Sequence, residues 1–199
     1  LGAAQVGKYK AEALKEQLSL DFPHLESVES VAKRFELLED EQLSALATCD
    51  VVLSAGLDIS ADFSIDEWRF SLEEAPVHVC TWVEALALAG HAVALAGKER
   101  LLSGFEPDGA PRFRLVDWGG VRTQFREAGC GSLFQPHSAA DLQFTVAMAS
   151  SLVLRVLTSE STTSCREAWH GDRELVRALG GVPRPDFSTS RSYVAHTWP

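Results

Sequence analysis

Apolar residues recur along this chain at two spacings, and the switches between them mark out its elements. Val6, Tyr9, Ala13, Leu14 and Leu18 share one side of a helix within VGKYKAEALKEQL, with Lys and Glu on the other. That spacing predicts an amphipathic helix from about Val6 to Leu18, ended before Pro23. Ser27 to Phe35 alternates weakly around Val28 and Val31 and reads as a half-buried strand. Asp40 to Ala47 predicts a short helix, and CDVVLSAG is a compact apolar run closed by glycine, as in a strand covered on both faces. The cycle then repeats: a helix from Asp62 to Leu72 is stopped by Pro76, and VHVCTWVEA forms the next buried strand.

After Gly90-His91 a further strand, HAVALAG, is predicted, and the Gly-, Pro- and Arg-rich stretch that follows reads as a long crossing loop, about 98 to 130. Ser138 N-caps a helix with Asp141 at its third position. That helix, AADLQFTVAMASSLVLRVLTS, is apolar nearly all round and is expected to lie buried. Residues 160 to 199 read as a C-terminal extension, with a helix from Asp172 to Leu179 ended by Gly180-Gly181 and an alternating segment around Tyr193 and Val194. Alternation of this kind predicts an α/β fold with a doubly wound, mostly parallel sheet. Such a nucleotide-binding sheet normally opens with a strand, a glycine-rich turn and a helix, yet no G-x-G-x-x-G occurs here. Residues 1 to 159 therefore read as the C-terminal part of a domain that lacks its N-terminal glycine-rich β-α unit.

Composition narrows the function. The chain has 199 residues, 46% hydrophobic and 23% charged, enough to bury a continuous core. Its formal net charge of −10 comes without a Lys/Arg block, which argues against nucleic acid as a partner. The apolar run from Ala85 to Ala96 is too short to span a bilayer, and no basic-then-apolar leader opens the chain. We expect no membrane partner and a cytoplasmic protein. Cys49, Cys80, Cys130 and Cys165 never form a C-x-x-C pair, so no structural zinc is expected. Cys49 and Cys80, set in apolar strands, read as core thiols.

Several strings, in order, resemble the ubiquitin-activating adenylating superfamily that includes ThiF, MoeB and bacterial relatives fused to conjugating domains. VGKYKAEAL is similar to the family's helix start, whose lysine reaches the nucleotide phosphates; Lys10 matches it, with Lys8 as its competitor. CDVVLSAGLD resembles the strand that ends in an aspartate near magnesium and the acyl-adenylate, which implies this role for Asp58. WVEALALAGHAV resembles members from bacterial defence and ubiquitin-like operons, and FREAGCGSLFQPHSAAD takes the place of the crossover-loop end, where Cys130 is the thiol. The resemblance implies a Rossmann variant that uses ATP and Mg2+ to adenylate the C-terminal carboxylate of a ubiquitin-like protein and then captures it on cysteine as a thioester. A homodimer and an associated conjugating-enzyme domain are implied partners. A catalytically inactive scaffold or dimerisation module is the alternative.

The residue types suit that chemistry. Adenylation needs cations against phosphates and an acidic group for the metal, which Lys10 or Lys8 and Asp58 supply. Cys130 lies between two glycines with Arg122 and Arg126 upstream, a setting that favours a thiolate; Cys165, beside Arg166 in a polar stretch, is its rival. His91 reads as structural, Glu84 as either a ligand contact or a turn cap, and Trp68, Trp82 and Trp118 as core and loop anchors.

Overall fold

The computed structural model describes residues 5–56, 58–107, 109–126, 133–159, 162–187 and 192–198. The chain divides into two compact units, Leu1–Asp40 and Glu41–Pro199. In the first, helix α1 spans Lys10–Asp21 and buries only Ala13. It starts later than the apolar spacing predicts, because Gly7, at φ +91, turns the chain and Lys8 N–H bonds Gln5 O just ahead of it. The strand expected from Ser27 to Phe35 does not form; the segment is irregular and ends in a 3-10 turn at Phe35–Leu37. A weakly alternating stretch has no strand identity of its own without a partner to pair with.

The second unit is an α/β layer structure. Helix α2 (Asp40–Ala47) leads into it, and strands β1 (Val51–Ala55), β2 (Val77–Val83), β3 (Ala89–Leu95), β7 (Cys165–His170) and β9 (Ser192–Thr197) form one sheet in that order. Two-stranded ribbons pair β4 (Val116–Asp117) with β8 (Val182–Pro183), and β5 (Phe125–Arg126) with β6 (Leu133–Phe134). Helix α3 (Ile59–Ser71) joins β1 to β2, α4 (Ala139–Thr158) precedes β7, and α5 (Arg173–Ala178) precedes β8.

The expectation of a mostly parallel sheet holds only for the β1–β2 pair; β2–β3, β3–β7 and β7–β9 are antiparallel. The connection 84–88 is too short for a parallel crossover, so β3 must return beside β2. It turns at Leu86 and Ala87, both at positive φ, and Gly90-His91 lies within β3 instead of breaking it. Residues beyond 159, expected as an extension, supply two strands of the same sheet.

Helix α4 covers one face, where Met148, Ala149, Leu152 and Val156 pack on Val79, Ala92, Ala94 and Trp169. The other face carries Cys80, Val93 and Leu95 under Leu101, Phe105, Phe113 and Trp198. Full burial of each large side chain in these layers contributes about 1.5–3 kcal/mol. Contrary to the expected all-round burial of α4, Val146, Leu154 and Leu157 on its outer side are exposed. By length and composition alone, α4 is also long and apolar enough to cross a membrane.

Candidate functional site at the end of the parallel strand pair

Strands β1 and β2 run in the same direction; β1 ends at Ala55 opposite Thr81, and β2 continues two residues further, to Val83. The chain leaves β1 through Gly56, whose φ of +63 suits glycine and whose N–H donates to Thr81 O at 3.1 Å. Asp58 follows as the N-cap of α3, its Oδ1 accepting from Ser60 N and from Ser60 Oγ, both at 3.1 Å. Its residue is exposed. An acidic group thus stands on the turn beyond the carboxyl ends of two parallel strands, where open α/β sheets bind ligands.

Behind this turn lies a buried polar chain. Ser54 Oγ donates to Asp62 Oδ1 at 2.5 Å and lies 3.0 Å from His78 Nε2. All three residues are nearly or fully buried. Burial, assisted by the Arg69 guanidinium, pushes the His78 imidazole down to about 4, so it is neutral at pH 7. With the Ser54 hydrogen given to Asp62, the proton of neutral His78 sits on Nε2 and is donated to Ser54. Burial pushes the Asp62 carboxyl up, while the Ser54 hydrogen bond opposes this.

Two further polar groups fix the segment that follows β3. Arg69, fully buried, donates to Gly97 O at 2.6 Å and to Glu99 O, while Arg100 Nε donates to Asp66 Oδ2 at 2.9 Å. Glu84 accepts from Leu115 N at 2.6 Å and Val116 N at 3.0 Å, and its Oε1 lies 2.7 Å from His91 Nε2. Trp82 stacks on the His91 ring. Glu84 thus ties the start of β4 to the main sheet, and His91 pairs with this carboxylate.

The remaining expected site residues fall in different parts of the chain. Lys8 and Lys10 belong to the first unit, where Lys8 pairs with Glu16 at 2.7 Å and Lys10 is exposed at the start of α1. Asp58 belongs to the second. Cys130 and Leu57 lie outside the described residues. Cys165 is half-buried in β7, and burial pushes its thiol up, which disfavours the thiolate that its rival role requires. Cys80 is a core thiol as expected, but Cys49, just ahead of β1, is exposed.

Among the described residues, no group of three or more His, Cys, Asp or Glu could hold a metal ion by itself. Asp58 is a single exposed carboxylate whose Oδ1 already accepts from Ser60 N and Ser60 Oγ, so any metal there would take at most this one protein carboxylate. Comparison with family models and with curated proteins gives no match for this chain.

The sequence reading missed Ser54, Asp62 and His78. The available signal was a lone serine and a lone histidine inside the apolar runs DVVLSAG and VHVCTWV. Buried polar groups in such runs require partners.

Proposed function

We propose that this chain is part of an ATP-dependent adenylating domain of the ubiquitin-activating type, acting on the C-terminal carboxylate of a ubiquitin-like protein. The observation that carries the reading is Asp58, the residue the resemblance assigns to the nucleotide, on the turn between β1 and α3 of a parallel β1–α3–β2 unit. In this reading β1–α3–β2 is the parallel unit whose first turn faces the nucleotide.

The carboxylate oxygen of the protein substrate attacks the α-phosphorus of ATP, the bond to the bridging oxygen breaks, and pyrophosphate leaves. Cationic groups offset phosphate charge in this step, a role the resemblance gives to Lys10 or Lys8. When bound, Mg2+ would supply charge neutralisation at the phosphates, with Asp58 as its carboxylate. The Cys130 thiolate then attacks the acyl carbon, giving the thioester and releasing AMP. The same reading carries a cytoplasmic location and a homodimer.

The thioester step gives a direct test. In the protein that carries this sequence, incubation with ATP, Mg2+ and a ubiquitin-like protein should yield an adduct that reductant removes. Cys130→Ala should abolish it and Cys165→Ala should not. Loss with Cys165→Ala alone reassigns the nucleophile, and absence of any adduct in the unaltered protein leaves the scaffold reading.

A further inference from the structure

Asp58 is flanked symmetrically in the chain by Ser54 at the end of β1 and Asp62 in the first turn of α3, and the Ser54–Asp62 hydrogen bond joins these flanks across eight residues. The bond joins the end of β1 to the first turn of α3. A second tie, Gly56 N–H to Thr81 O, holds the rising limb of the loop to β2. Within the loop, Asp58 caps its own helix through Ser60 and accepts from Ala61 N–H through its backbone carbonyl at 2.9 Å. The backbone that carries Asp58 is therefore fixed from strand and from helix.

His78 extends this bond into a chain. A serine hydroxyl has one hydrogen and can turn it toward any nearby acceptor. With the Ser54 hydroxyl hydrogen directed at Asp62 Oδ1, the neutral His78 ring meets the same oxygen as a donor through Nε2–H. The fully buried His78 ring has no hydrogen-bond partner at Nδ1 among the described residues. Among the described residues the ring is thus held at Nε2 alone.

We propose that Ser54 and His78 are positioning residues: the His78–Ser54–Asp62 chain clamps the first turn of α3 to β1 and β2 and so fixes the Asp58 carboxylate at the end of the parallel strand pair. The inference rests on the adenylation reading for the purpose of the clamp, though not for its existence. Ser54 and His78 are both buried and act through the turn that carries Asp58.

The test uses the full protein with Ser54→Ala, Ser54→Thr and His78→Gln, and two readouts. In ATP–pyrophosphate exchange, Ser54→Ala should raise the KM for ATP about tenfold, as loss of an outer support to a metal-binding carboxylate typically does, with kcat much less changed. In amide hydrogen exchange, Ser54→Ala should lose protection over residues 55–62 while β3 and α4 keep theirs. Ser54→Thr restores the hydroxyl and should rescue both readouts, and His78→Gln, which can still donate to Ser54, should stay close to the unaltered protein. Unchanged protection over 55–62 in Ser54→Ala overturns the clamp, as does uniform loss along the chain or failure of Ser54→Thr to rescue. If the unaltered protein shows no pyrophosphate exchange, the adenylation reading falls, and with it the purpose of the clamp, while hydrogen exchange still decides whether the clamp exists.

Discussion

Glu84→Gln tests how the segment after β3 is held to the sheet. The Glu84 carboxylate takes hydrogen bonds from two backbone N–H groups, Leu115 and Val116, and pairs with His91, with only 10% of its side chain exposed. Glutamine keeps the shape but offers one acceptor oxygen and turns an NH2 group toward donors. Buried hydrogen bonds to a charged group contribute about 1.5–3 kcal/mol each, and a stranded buried donor costs about 1–3 kcal/mol. The expected loss is about 3 kcal/mol after partial relaxation of the loop. Urea unfolding followed by tryptophan fluorescence reads it, since Trp82 stacks on His91. Glu174→Gln, which breaks an exposed pair with Arg177 in the same unit, is the control and should cost about 0–1 kcal/mol. If Glu84→Gln costs no more than Glu174→Gln, the carboxylate does not hold the segment and the reasoning fails.

Acid should destabilise the protein through His78. Its folded-state value of about 4 lies below the ordinary imidazole value of 6.5, so the unfolded chain takes up the proton first and stability falls as pH drops from about 6.5 to about 4. The shift corresponds to about 3 kcal/mol; Asp62, pushed up by burial, acts in the opposite sense near the bottom of that window. Urea titrations at pH 7, 5 and 4 should show a steeper loss for the unaltered protein than for His78→Gln, and equal slopes would contradict this. Alkylation followed by mass spectrometry should label Cys49 ahead of half-buried Cys165, with Cys80 protected until the protein unfolds. Early labelling of Cys80 would contradict the packing of the sheet.

Elements with strong local signals were legible from the residues alone. The apolar runs that became β1 and β2, and the helix opened by Ser138, stand close to where the spacing puts them, and Ser138 Oγ accepts from Ala140 N and Asp141 N as a cap should. Sheet direction was not legible, because an apolar run covered on both faces reads alike in parallel and antiparallel company. The deciding feature is the 84–88 turn, which places Leu86 and Ala87 at positive φ without the Gly, Asn or Pro that usually announces a turn. Asp58 was visible at the end of an apolar strand, although its capping role was not. Ser54 and His78 stayed hidden because a polar residue within a strand does not reveal a partner 24 residues away.

The central claim, that Asp58 stands at a nucleotide site, is tested most directly by ATP–pyrophosphate exchange in the protein that carries this sequence, with a ubiquitin-like protein present and Asp58→Ala beside the unaltered form. The account predicts exchange that depends on the protein substrate, drops at least about a hundredfold in Asp58→Ala and persists in Cys130→Ala, because adenylation precedes thiol attack. Exchange of equal rate in Asp58→Ala, or none in the unaltered protein, would contradict it.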